Sequence, residues 1–205
     1  MSIAALAVLV FCVVVPAVFA LTTMRSSINS YAGPFTILFK EATQCPEGTV
    51  TPGRLVANLT GALHHSKFTK AAVFDGLALV TRDVDFGDLG LKVAVAKWDS
   101  VAGWRENFFR MDGGEYCNVM VSIGRDAASV VNRNNPKFPK SCPIPKGTYI
   151  FHNLSTELLQ RWEHFPVFPY GRFRGDMIFY DLKSKQNIVG CFRGVSDIVP
   201  KVKKS

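Results

Sequence analysis

The chain has 205 residues, 48% of them apolar and 20% charged, a composition that excludes intrinsic disorder and a length that suits one domain. Its formal net charge of +8 lies wholly in the second half: ten basic residues balance ten acidic ones up to residue 124, and fourteen face six after it. A basic half of this kind suits an anionic membrane surface, or simply solubility, and its scatter without a binding motif argues against nucleic acid.

Residues 3–15 form an uninterrupted apolar run of signal-peptide length, with Val18 and Ala20 at the spacing of a cleavage site. We therefore expect a signal peptide over 1–20, although no Lys or Arg precedes the run; a membrane anchor is the competing reading. Removal of that segment removes Cys12 and leaves Cys45, Cys117, Cys142 and Cys191. Four cysteines in a secreted or endolysosomal-lumen chain read as two disulfides, and spacing favours none of the three pairings. Asn58 and Asn153 open glycosylation sequons suited to the same compartment.

An arm over 21–34 leads into the domain, expected at 35–198, and a basic tail follows at 199–205. A first strand is expected at 35–39, a turn at 46–53 and a short strand at 56–59. Residues 71–80 read either as one bent strand or as two, because Asp75-Gly76 interrupts an apolar run. Asp83, Asp85 and Asp88 sit in an acidic turn without the pattern of a calcium loop. The clearest early strand is 91–98. Residues 101–110 read as an aromatic loop holding Trp104, Phe108 and Phe109.

The periodicity over 115–132 predicts the only good helix, with Cys117, Met120, Val121, Ala127, Ala128 and Val131 on one stripe and Gly124 as its weak point. Turn residues and prolines end it at 132–139. A strand opens at 146–151. A second aromatic loop, 162–170, carries Trp162, Phe165, Val167, Phe168 and Tyr170, kept irregular by Pro166 and Pro169. From Gly171 a period of two puts Phe173, Met177 and Phe179 on one face of a strand and Arg172, Arg174 and Asp176 on the other. A polar turn at 183–187 returns the chain through a strand at 188–195. The expected fold is all-β with one helix, an Ig-like sandwich or cup.

The order Cys142-Pro143, Lys146-Gly147-Thr148-Tyr149, Gly171-Arg172 before a strand and Gly190-Cys191 near the end resembles the ML lipid-recognition superfamily. Val101-Ala102-Gly103-Trp104 and the Cys117 helix fall in the same order upstream. The likeness runs over 91–198, to the ganglioside-activator branch and more closely to the arthropod CheA/CheB-type chemosensory members. It implies a β-cup, two sheets splayed around an apolar cavity, with the aromatic loops 101–110 and 162–170 at its mouth. It also implies the pairings Cys45–Cys191 and Cys117–Cys142, which on the loop-entropy model stabilise by roughly 5 and 3.5 kcal/mol. Ganglioside activators carry further disulfides around the helix, and this chain has none to match.

The expected ligand is a lipid or other long-chain hydrophobe. A sixteen-carbon tail costs on the order of 12 kcal/mol in water, so a soluble carrier must enclose it. Candidate contacts are Trp104, Phe108, Phe109, Trp162, Phe165, Phe168, Tyr170, Phe173, Met177 and Phe179; each could instead fill a sandwich core. We expect no cofactor and no enzyme: no Gly-x-Ser-x-Gly elbow and no phosphate-cradling glycine loop occurs. His64-His65, His152 and His164 read as exposed and solitary, not as metal ligands. The rival readings are a protein-interaction module with a filled core, as a receptor co-subunit, and an activator that presents lipid to a hydrolase.

Overall fold

A computed structural model describes residues 31–65, 71–160 and 167–201. The expected signal segment, Trp162, His164, Phe165 and the end of the basic tail lie outside the described residues.

Among the described residues ten strands form three antiparallel sheets. In chain order they are β1 Ala32–Gly33, β2 Phe35–Gln44, β3 Ala57–His65, β4 Ala72–Val80, β5 Leu89–Asp99, β6 Gly103–Glu115, β7 Gly147–Ser155, β8 Phe168–Pro169, β9 Gly171–Asp181 and β10 Ile188–Pro200. The large sheet runs β2-β10-β9-β5-β6 and the small one β3-β4-β7, while β1 pairs with β8. The sheets meet along β2 and β3, where the Gln44 side chain donates to Leu59 O and Val56 N–H donates to Val189 O at 2.7 Å. Of residues 71–80, Ala72–Val80 make one strand, with a register shift against β7 between Phe74 and Gly76.

Two expectations need correction. The 115–132 helix is two helices, α1 Tyr116–Val121 and α2 Arg125–Asn134. Glu115 caps α1, its carboxylate accepting the N–H groups of Cys117 at 3.0 Å and Asn118 at 2.8 Å. The break falls at Gly124, whose N–H turns back to Val119 O at 2.8 Å. A Cβ there would stand 2.9 Å from that same carbonyl, so the chain can fold so closely only at glycine.

The second correction concerns residues 101–110, which are not a loop. All but the first two belong to β6, paired with β5. The turn before it is made by Asp99, whose Oδ1 accepts the N–H groups of Val101 at 2.9 Å and Ala102 at 3.0 Å. Gly103 follows at φ +73°. Those backbone donors hold the Asp99 carboxyl below the usual carboxylate range, with Arg105 adding to the effect.

The core divides in two. At one end, the base, Phe74, Tyr149, Phe151 and Leu154 of the small sheet pack on Leu89 and Val189 of the large one, with Cys117, Met120 and Ala128 of the helices. α1 lies against β5 and β6 and α2 against β7, so the helices bridge the sheets on the side away from β2 and β3. Two disulfides fasten this base: Cys45–Cys191 and Cys117–Cys142, each with Cα atoms 5.7 Å apart. They are the pairs the family likeness implies, and they suit an oxidising compartment. At the other end, the rim, a smaller cluster of Phe35, Ile37, Phe173 and Ile198 sits on the large sheet alone. Among the described residues no helix is long and apolar enough to cross a membrane.

Candidate functional site

Between the two clusters the inner face of the large sheet can be read row by row from the strand register. One row crosses all five strands as Ala42, Gly194, Gly175, Val95 and Phe109. The next row towards the base is Gln44, Phe192, Met177, Val93 and Met111, and the next towards the rim is Phe39, Ser196, Phe173, Lys97 and Arg105. The middle row is nearly bare at its centre. A Cβ added to Gly175 would meet nothing within 4 Å, and one on Gly194 would meet only Glu41 O at 3.8 Å. Paired glycines thus make a floor with open space above it.

The surroundings of that floor are apolar and incompletely covered. Met177 is 38% exposed and Phe109 39%, large fractions for side chains on the inner face of a two-sheet protein. Phe108 joins them through a bulge. Between Arg105 and Phe109, β6 inserts two more residues than β5 has opposite them, with Asn107 at φ +58°. The insertion sets Phe109 across from Val95 and brings the Phe108 ring to 5.4 Å from Phe173. Phe108 is 42% exposed while Phe173, beneath it, is 4% exposed.

The described end of the second aromatic stretch, residues 167–170, lies at the rim. Phe168 lies 5.7 Å from Phe35 and 5.4 Å from Phe173, ring centre to ring centre. Tyr170 donates its hydroxyl to Pro34 O at 3.2 Å and its N–H to Tyr31 O at 2.7 Å. The β1–β8 pairing therefore straps this stretch to the arm. Lys97 is the one cation whose Nζ reaches these rings, 5.5 Å from the centre of Phe108 and 5.7 Å from Phe173 among the described contacts.

The structure brings Phe108, Phe109, Phe168, Tyr170, Phe173 and Met177 to one face of the large sheet and its rim. Phe179 shares that face, but it packs into the base against Tyr116 at 5.2 Å. Trp104 does not join them. It pairs with Trp98 on the opposite face, ring centres 5.2 Å apart, beside Arg174. The sequence reading missed Gly175, Gly194, Val93, Val95 and Lys97. The signal for the glycines is present: they replace apolar residues at the inward positions of two otherwise regular strands.

The histidines also need correction. His64 and His152 are not solitary, for both flank Asp75 on the small sheet: His64 Nε2 bonds its carboxylate and His152 Nδ1 lies 3.6 Å from Oδ1. The Asn153 N–H donates to the same carboxylate at 2.8 Å and, ahead of His64, holds it below its usual range. Among the described residues no group of three or more potential ligands could hold a metal ion. Asn58 is half-buried on β3, and Asn153 is exposed at φ +51°.

No family model matches the chain, and no curated protein matches it.

Proposed function

We propose that this protein is a secreted or luminal carrier of the ML type, which takes a lipid or other long-chain hydrophobe between its two sheets without catalysing a reaction. The observation that carries the reading is the bare floor at Gly175 and Gly194, bordered by exposed Met177, Phe108 and Phe109. Open apolar surface on an inner sheet face loses the stabilisation that burial would give, about 25 cal/mol per Å². An acyl chain laid on the floor would recover it. The base, where the two sheets pack together, supports the same reading, because it joins them at one end while the rim cluster at the other end rests on the large sheet alone. Disulfides at the base suit a domain stabilised in this way.

The test is to fill the floor. Gly175 has room for a side chain and lacks a positive φ, so Gly175→Leu should fold. We expect the wild-type protein to bind a fluorescent long-chain probe and the variant to bind it about tenfold or more weakly, with the melting temperature of the variant equal or higher. Equal binding by both proteins would remove the floor from the account, and absence of binding to any long-chain probe would remove the carrier reading itself.

A second reading, a protein-interaction module, is favoured by one observation. Leu77 and Ile150 lie opposite each other on the outer face of the small sheet, and both are exposed. A module of this kind would leave the probe unbound in both proteins.

A further inference from the structure

The outer face of the large sheet carries a site unrelated to the floor. Arg172 and Arg174 of β9 and Arg193 of β10 line an open cavity of about 390 Å³ together with Trp98, Trp104, Glu41, Thr43 and Val195. The arginines are held in place by carboxylates. Arg193 donates Nε and Nη2 to Asp176, both at 2.7 Å, and Arg172 donates the same pair to Asp197 at 2.8 and 3.3 Å. Arg174 Nη2 bonds Glu106, and its guanidinium lies 5.0 Å from the centre of the Trp104 ring. The side chains of Arg174 and Arg193 are only 15% and 20% exposed, although they lie on the sheet's outward face.

A half-buried ionic network is a weak source of stability, since desolvation offsets most of the attraction. What this one does supply is pre-aimed donors. Each guanidinium has five N–H groups, and among the described residues none of the three Nη1 atoms has a hydrogen-bond partner. Asp197, Glu106 and Asp176 balance the three arginines and Lys40 stands near Asp197 against Glu41, so the cavity offers an oxyanion aimed N–H groups and not net positive charge. Three separate Nη1 donors, one from each guanidinium, suit the three terminal oxygens of a tetrahedral oxyanion better than the two of a carboxylate. Trp98, 45% exposed, adds a flat apolar surface beside them. The Glu41 carboxylate accepts from hydroxyls and disfavours a bare anion, while the Thr43 hydroxyl can donate to an oxyanion or accept from a ring hydroxyl. The volume falls in the range of small-molecule sites.

We infer that this cavity binds the phosphate or sulfate ester of a sugar or similar hydroxylated ring, the oxyanion on the arginines and the ring on Trp98. The same chemistry occurs in soluble sugar esters and in phosphoinositide headgroups. Calorimetric titration should use glucose 6-phosphate, glucose 6-sulfate, inorganic phosphate, glucose, and vesicles containing phosphatidylinositol 4-phosphate. We expect an ester to bind about tenfold or more tightly than inorganic phosphate or glucose. Arg172→Gln and Trp98→Ala should each weaken it about tenfold, with melting temperatures within about 5 °C of wild type and unchanged binding of a long-chain probe to the floor. Vesicle binding that the same two variants abolish, without binding of the soluble esters, supports the site with a membrane headgroup as its source. Failure of every ester and vesicle below about 10 mM, binding of glucose or inorganic phosphate as tight as the esters, or binding that neither variant alters would overturn it.

Discussion

The two faces of β9 differ sharply in polarity and in packing. Inward, Phe173, Gly175, Met177 and Phe179 give a surface that is packed at both ends and bare in the middle. Outward, Arg172, Arg174 and Asp176 each take part in an ion pair, with a tryptophan pair alongside. The inward face loses side chains where a ligand would lie, and the outward face fixes them. A pocket for flexible tails needs volume and tolerates imprecision, because the hydrophobic effect is non-directional. A site for an oxyanion needs donors at set positions and has to stabilise them in the absence of ligand. One strand can serve both needs because its side chains alternate.

The largest effects should come from breaking the base, on which both faces depend. Replacing Cys45 and Cys191 together by serine opens a loop of 146 residues and should cost up to about 5 kcal/mol, read as a fall in the denaturant midpoint. Replacing Cys117 and Cys142, which close a 25-residue loop, should cost less, about 3.5 kcal/mol. A reversed order would mean that the helix side, and not the β2–β10 side, sets the stability of the domain.

The next contrast separates base from floor. Phe151 is buried in the base against Phe138, so Phe151→Ala should cost about 3–5 kcal/mol. Phe109, on the same type of apolar inner face but open, should cost under about 1 kcal/mol as alanine in the absence of ligand. Similar losses at the two positions would show that Phe109 is covered in solution and that the floor is filled.

Much of this was readable in the residues, and the misses have physical causes. The alternation of β9 is legible because its two faces differ so sharply in polarity, and both sets of side chains fall where the period of two puts them. β6 was not legible. A regular strand would place Trp104 and Phe108 on one face, four residues apart, but the two-residue bulge at Asn107 sends them to opposite faces. The insertion takes Phe108 out of the alternation that Arg105, Phe109 and Met111 keep, so the stretch reads as a loop. The helix split followed from a weak point that the sequence does show, Gly124, but the tight return to Val119 that demands it is a matter of tertiary geometry. Spacing left the cysteine pairings open, and family likeness supplied them. The floor was missed because glycine in a strand usually signals a bulge or a bend, although Gly175 falls at an inward position of an alternation that is otherwise apolar.

A smaller effect should appear with acid, and on the outer face only. The Arg172 guanidinium, ahead of Lys40, holds the Asp197 carboxyl below its ordinary value. A depressed carboxyl contributes stability that is complete above its unfolded pKa, about 3.9, and is lost as pH falls through the lower folded value. For a pair this open to solvent the contribution is under about 1 kcal/mol. Melting temperatures taken from pH 5 down to pH 2 should therefore decline for the wild type, and Arg172→Gln should remove a small part of that decline. A variant whose acid profile overlays the wild type would show that the pair does not hold in solution, and with it the placement of one oxyanion donor.

The smallest expected effect is the most discriminating for the comparison of faces. Trp104 and Phe108 lie within one aromatic stretch, and a loop at the mouth would make them equivalent for a hydrophobic ligand. The bulge makes them independent. Phe108→Ala removes a ring that stands over Phe173 on the inner face, and long-chain probe binding should weaken about three- to tenfold. Trp104→Ala removes the ring beneath the Arg174 guanidinium on the other side of the sheet, and the same binding should stay within about twofold of wild type. Equal losses at the two positions would mean that β6 does not keep its bulged register, and the inward and outward faces of the large sheet could no longer be treated as separate sites.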